Sequence, residues 1–356
     1  MLSPRAAVQS LPTYHPPLAS RTGLRLDFNE NTLGCSPRVA AKLHEISRDA
    51  VACYPERGSV ESLVSSFLSR RSEEVLLTNG VDEGIHLLCE TYLEPDDEVL
   101  IAVPTFAMYE IYACATGAKV LSIPAGHDFS FPLDAMLSAV SPRTRLIAIA
   151  NPNNPTGAVL STDAVLQLAL AAPQAAVLVD EAYFEFHGKT LLSRIGEVAN
   201  LFVARTFSKA YGLAGLRVGI LAGSAAQMQM VRRVSSPYNV NTAALACLPE
   251  AIADTEYVLR YATEAIASRE RLEAFFGQNK IPYWPSRANF VLARFAELRI
   301  PFVDSMKQRG ILVRDRNKDF GCEGCVRITA GTSSQTDHLL LVMEDVLREL
   351  RVGEPR

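Results

Sequence analysis

The sequence predicts an α/β fold: a large domain with a mostly parallel sheet flanked by helices, followed by a smaller α+β domain. Three observations predict it. Between about residues 54 and 250, short continuous apolar runs alternate with segments of helical spacing. The runs carry no polar alternation, as expected of strands covered on both faces, and so of a mainly parallel sheet. Beyond that stretch the pattern changes to a long helix, three strands and a closing helix.

Taken in chain order, residues 1–27 read as an N-terminal arm. Pro4, Pro12, Pro16 and Pro17 oppose a regular helix there, and no hydrophobic period is present. Residues 28–250 read as the large domain. Its strands are Glu98–Pro104 (EVLIAVP), Arg145–Ala150 (RLIAIA), Ala176–Asp180 (AVLVD) and Leu201–Phe207. In Asp82–Leu93, the residues Ile85, Leu88, Cys89 and Tyr92 share one helical face. Residues 251–356 read as the small domain, with a helix over Thr255–Asn279 and strands at Asn289–Phe295, Ile311–Arg314 and Cys325–Thr329. A final helix near Gln335–Arg351 is expected to start at a Ser334-x-x-Asp337 cap.

Composition narrows the classes. A net charge of −4, with no long run of one sign, does not suit a nucleic-acid-binding face. The seven scattered cysteines do not suit a secreted disulfide scaffold. No apolar run approaches a membrane span, and the N-terminus has no signal-peptide core, so a cytoplasmic protein is expected.

Four stretches sit at strand ends, where the functional loops of open α/β sheets gather. Asn79–Gly84 opens a helix and offers free N–H groups to a phosphate, although the same pattern also serves as an ordinary cap. Asn151–Gly157 (NPNNPTG) sets two amides on a turn held by two prolines. Val177–Tyr183 ends an apolar strand in Asp180-Glu181. A P-loop ATPase is rejected, because position 183 is Tyr183 where the phosphate loop needs glycine, and Gly188-Lys189-Thr190 follows the acidic strand. Arg205–Gly219 (RTFSKAYGLAGLRVG) places Lys209 among two hydroxyls and an arginine, in a segment otherwise apolar. A desolvated lysine beside cations favours its amine form, which a Schiff-base nucleophile needs. The glycines do not form a dinucleotide fingerprint.

With these residues the sequence resembles the fold-type-I, class II pyridoxal-phosphate-dependent aminotransferases, and within them the histidinol-phosphate aminotransferases. The matching stretches, in order, are LDFNEN, CYPE, NGVDEGI, PTFAMY, NPNNPTG, VDEAYFEF, RTFSKAYGLAGLRVG, SPYNVN, ILVRD and CVRITAGT. The resemblance implies pyridoxal 5'-phosphate on Lys209, which also shuttles a proton. It implies Asp180 at the pyridine nitrogen, Asn154 and Tyr183 at the phenolic oxygen, and Phe106 stacked on the ring. It implies a phosphate held by Val81, Asp82, Thr206, Ser208 and Arg217, with Tyr54 reaching the cofactor of the other subunit of a homodimer. Substrate would be gripped by Arg327 with Tyr14 and Arg314, and Asn154 would lie beside it. Two departures stand out: Phe106 occupies a position often held by tyrosine, and Val81 one often held by a small residue.

The implied activity is transamination of L-histidinol phosphate with 2-oxoglutarate, a step of histidine biosynthesis. An aromatic or other amino-acid aminotransferase is the alternative, and a phosphothreonine decarboxylase comes after it. A transcription regulator on this fold would need a DNA-binding module, which residues 1–27 do not supply. An inactive scaffold does not suit the intact Lys209, Asp180, Asn154 and Arg217. Cys322-x-x-Cys325 reads as two thiols in a turn, since zinc needs four ligands. Asp96-Asp97-Glu98 reads as a solvated loop, and no metal site is expected.

Overall fold

A computed structural model describes residues 2–9, 11–13 and 22–352, with side chains through 350. Among the described residues, twelve strands form two sheets. In chain order they are β1 (Leu24–Leu26), β2 (Val75–Thr78), β3 (Glu98–Val103), β4 (Lys119–Pro124), β5 (Thr144–Ala150), β6 (Ala176–Asp180), β7 (Leu201–Thr206), β8 (Gly219–Ala222), β9 (Tyr283–Trp284), β10 (Phe290–Arg294), β11 (Ile311–Asp315) and β12 (Cys325–Thr329). The larger sheet has the order β2-β8-β7-β6-β5-β3-β4, and the smaller β1-β11-β12-β10-β9.

The continuous apolar runs explain the larger sheet. Along β6, Val177 and Val179 enter one core cluster while Ala176 and Leu178 enter another, and β7 divides the same way. Alternation therefore buries both faces, under the helix Thr162–Ala171 on one side and Gly80–Tyr92 on the other. The strands β4, β3, β5, β6 and β7 run parallel, but β8 is antiparallel to both its neighbours, β2 and β7. The carboxyl ends of β2, β3, β5, β6 and β7 lead into the segments that hold the candidate site.

In the smaller sheet, Val291, Val313, Val326 and Ile328 pack against Leu272, Phe276, Phe302, Met306 and Met343 of the overlying helices. The opposite face carries Arg314 and Arg327, which are register partners on β11 and β12.

Four expectations are corrected. A short helix, Ala6–Gln9, forms in the arm, because the spacing from Pro4 to Pro12 leaves room for a single turn. Leu24–Leu26, also assigned to the arm, is a strand paired in parallel with β11. The closing helix begins at Ser333. Thr332 and Gln335 exchange capping hydrogen bonds (Gln335 N to Thr332 Oγ1, 3.4 Å; Thr332 N to Gln335 Oε1, 2.9 Å), while Asp337 pairs with Arg271. Glu98 is buried, accepting from Ser141 and Arg143, so only part of the acidic triplet is solvated. No helix among the described residues is long and apolar enough to cross a membrane.

Candidate active site

Asp180 ends the central strand β6 and is only 6% exposed. Its Oδ2 accepts from the Tyr109 hydroxyl at 2.7 Å and its Oδ1 from the Ala182 N–H at 3.0 Å. Burial nevertheless pushes its carboxyl up to about 6. Tyr109 belongs to the helix Met108–Thr116, which follows β3 in the chain, and its ring meets Phe106 edge-on at 5.7 Å.

Lys209 lies in the loop after β7, partly buried, and donates to the Phe28 carbonyl at 3.0 Å. Burial lowers its amine to about 8, and Arg327 supplies the strongest neighbouring charge in the same direction. Arg205, one of the two arginines of its segment, points elsewhere. It pairs with the buried Glu181 at 3.0 Å and lies over the Phe184 ring. The cations that act on Lys209 are Arg327 and Arg217.

The phosphate-binding residue types also converge. Gly80 starts its helix at φ +75°, and a Cβ there would lie 2.6 Å from Arg217 Nη2. Val81 and Asp82 follow in the first helical turn, and Asp82 Oδ2 accepts from Arg217 at 2.9 Å. Thr206 Oγ1 accepts from the Ser208 N–H at 3.1 Å, while the Ser208 hydroxyl is buried with no hydrogen-bond partner.

On β12 of the smaller sheet, Arg327 is 5% exposed. It donates to Asn154 Oδ1 and, at 2.8 Å, to the Asp27 carbonyl, and lies 5.1 Å from the Phe290 ring centroid. Burial is the main cause that lowers its guanidinium to about 9, with Arg316 the next. Arg314 lies over Phe28 at 5.1 Å. The Tyr183 hydroxyl accepts from Asn29 Nδ2 at 2.9 Å, and burial raises its pKa.

Tyr54 does not join this group within one chain: it is 78% exposed and stacks on Tyr238 at 4.4 Å. Tyr14 lies outside the described residues. Sequence reasoning assigned no role to Phe28, Asn29 or Tyr109. The first two stand in the quoted LDFNEN stretch, and Asn29 adopts φ +56°, a conformation asparagine tolerates better than most residues. Tyr109 closes the quoted PTFAMY stretch, but only the fold brings its hydroxyl to Asp180.

Residues 21–342 match the family model for class I and II aminotransferases. The chain is 35% identical over 334 residues to a histidinol-phosphate aminotransferase of Dehalococcoides mccartyi, covering 92% of this chain and 91% of the relative. It is 36% identical over 346 residues to one of Roseiflexus castenholzii, covering 92% of each. The crystal structure of histidinol-phosphate aminotransferase from Sinorhizobium meliloti, in complex with pyridoxal-5'-phosphate, shares the fold with a TM-score of 0.88 at 23% identity, over 97% of both chains. With matches of this length to the model and to full-length relatives, the chain belongs to the class I and II aminotransferase family.

Proposed function

We propose that the chain transfers the amino group of L-histidinol phosphate to 2-oxoglutarate, giving imidazole acetol phosphate and glutamate, with pyridoxal 5'-phosphate as cofactor. The observation that carries this reading is that Lys209 and Arg327 donate to the consecutive carbonyls of Phe28 and Asp27, which sets the amine and the guanidinium close together. An amine that reacts with carbonyls and a clamp for anions then lie on either side of one substrate. The names and extents of the relatives support the same substrate.

The residues present fit the cofactor. The buried, unpartnered Ser208 hydroxyl and the side-chain-free Gly80 beside Arg217 suit a phosphate at a helix N-terminus. The buried Asp180 suits a cationic ring nitrogen, whose charge would restore the ionised carboxylate that burial opposes. When bound, pyridoxal phosphate supplies a carbonyl that condenses with amines and a ring that takes up the electron pair released at the substrate carbon.

The remaining work falls to the chain. Lys209, with its amine lowered to about 8, loses its proton far more readily than a solvated lysine and can take and return a proton at Nζ. Phe28 O holds that nitrogen in place. Asn154 and Tyr183 offer an amide and a hydroxyl to a phenolic oxygen. Arg327 grips the anionic end of the substrate, beside Arg314. Planar guanidinium forks suit phosphate and carboxylate alike, so one pocket serves both half-reactions in turn.

The active unit in this reading is a cytoplasmic homodimer. Tyr54 supports the dimer, being an exposed aromatic stacked on the exposed Tyr238. The seven unpaired cysteines support a reducing compartment. The test is the amine-donor half-reaction, followed by the cofactor's absorbance change. Histidinol phosphate is expected to react with a higher specificity constant than phenylalanine or tyrosine. A preference for either amino acid would replace the substrate, and release of carbon dioxide from a phosphorylated amino acid would replace the reaction.

A further inference from the structure

Arg316 follows β11 directly, and its N–H donates to Cys325 O at 3.0 Å, extending the pairing of β11 with β12 by one residue. Two residues beyond Arg314, it falls on the same face of the sheet, because side chains alternate along an extended chain. Arg327 is the cross-strand partner of Arg314 and shares that face. The other face, with Ile311, Val313, Val326 and Ile328, is packed under helices. Three guanidinium groups therefore crowd one side of two neighbouring strands.

The side chain of Arg316 is 13% exposed and pairs with Asp319, which lies in the turn that follows. Its Nε is buried without a hydrogen-bond partner, as is that of Arg327. Arg316 is the strongest charge acting on Arg327, and it also acts on Tyr183. Asp319 feels Arg327 and Arg314 besides its own partner. Arg316 sets a second guanidinium beside Arg327, and two adjacent cations attract a phosphate dianion more strongly than a singly charged side-chain carboxylate. Repulsion between the buried Arg327 and the largely covered Arg316 is unfavourable until an anion arrives, so this arrangement discriminates by charge.

We infer that Arg316 is a specificity-determining residue that selects a dianionic phosphate end on the amine substrate, with Asp319 holding its guanidinium ready. The inference rests on the reading of Arg327 as the anion clamp. Arg327 serves both substrates, and Arg316 tells them apart.

The test compares histidinol phosphate with histidinol, which lacks the phosphate, in wild-type holoenzyme and in Arg316→Gln. The ratio of their kcat/KM values is expected to fall by about ten- to a hundredfold, as for loss of a charge-assisted hydrogen bond. An unchanged ratio, even with both rates lowered, would overturn the inference, since a merely structural role moves both substrates together. If the glutamine variant does not fold, Arg316→Lys decides in its place. Losing the planar fork should lower the ratio, and an unchanged ratio counts against the inference. Inorganic phosphate, tested as an inhibitor of the glutamate half-reaction, separates the two readings. If the wild type ignores histidinol phosphate, the substrate proposal falls, yet a roughly tenfold weaker inhibition by phosphate in Arg316→Gln still supports the role of Arg316. Equal inhibition of both proteins refutes it.

Discussion

The Tyr109 hydroxyl donates to Asp180 Oδ2 at 2.7 Å, and both groups are almost sealed from water. A hydrogen bond to a buried carboxylate favours the ionised form, so Tyr109 works against the burial that raises Asp180. Tyr109→Phe removes that donor without changing the ring. Turnover should fall by about tenfold or more, the cost of a hydrogen bond to a charged group. The carboxyl should titrate higher still, read as an alkaline shift of the acidic limb of the kcat profile. Unchanged turnover with an unmoved limb would contradict this positioning role.

Asp180 should also leave a mark on stability. Its folded carboxyl is raised to about 6, above the value near 3.9 of an unfolded aspartate. Between those values the folded state holds a proton that the unfolded state has lost. The contribution is therefore fully present below about pH 4 and is lost as pH rises through about 6, roughly 2–3 kcal/mol in all. In cofactor-free protein, Asp180→Asn should gain stability relative to wild type on going from pH 4 to pH 7.5, measured by denaturant unfolding. A constant gap across that range would refute the assignment. The same variant should be nearly inactive.

How legible these features were depends on how locally they are specified. Lys209, Asp180, Asn154 and Arg217 stand next to apolar strands or turn residues, so adjacent sequence marked their places. The direction of β8 was not legible, since a short apolar run reads alike in either direction. Tyr109 sits in a helix rich in apolar residues, where an aromatic side chain reads as core, and its hydroxyl gains meaning only from a strand 71 positions away. Arg316 stands in the polar run Arg314–Asp319, where a solvated turn is the ordinary reading. Only the pairing of β11 with β12 brings it to Arg327. The start of the closing helix moved by two residues because several hydroxyl-bearing residues in a row, Thr332, Ser333 and Ser334, compete to cap it.

Gly80 bears on cofactor retention. At φ +75°, with a Cβ position 2.6 Å from Arg217 Nη2, alanine would strain the backbone and push the guanidinium aside. Gly80→Ala should weaken cofactor binding by about tenfold or more, given about 1 kcal/mol for the left-handed conformation alone and further loss at the displaced arginine. Equilibrium dialysis against pyridoxal phosphate checks this, and retention equal to wild type would argue against a phosphate at that turn.

Tyr54 tests assembly. Tyr54→Phe keeps the ring that stacks on Tyr238 and removes only the hydroxyl. The proposed dimer should therefore persist in sedimentation while the cofactor dissociates about tenfold more readily. A fully active monomer at dilute concentration would contradict the dimer, and unchanged cofactor affinity would contradict the reach of Tyr54 to the partner's site.

Lys209 is proposed to hold the cofactor while Arg327 binds the anionic end of the substrate. Borohydride reduction of the holoenzyme, followed by mass mapping of the modified peptide, tests the role of Lys209. The pyridoxyl group is expected on Lys209, in the peptide containing Thr206-Phe207-Ser208, and is expected to be completely absent from Lys209→Ala. A pyridoxyl group on any other lysine, or persistence of the reducible linkage in that variant, would contradict it.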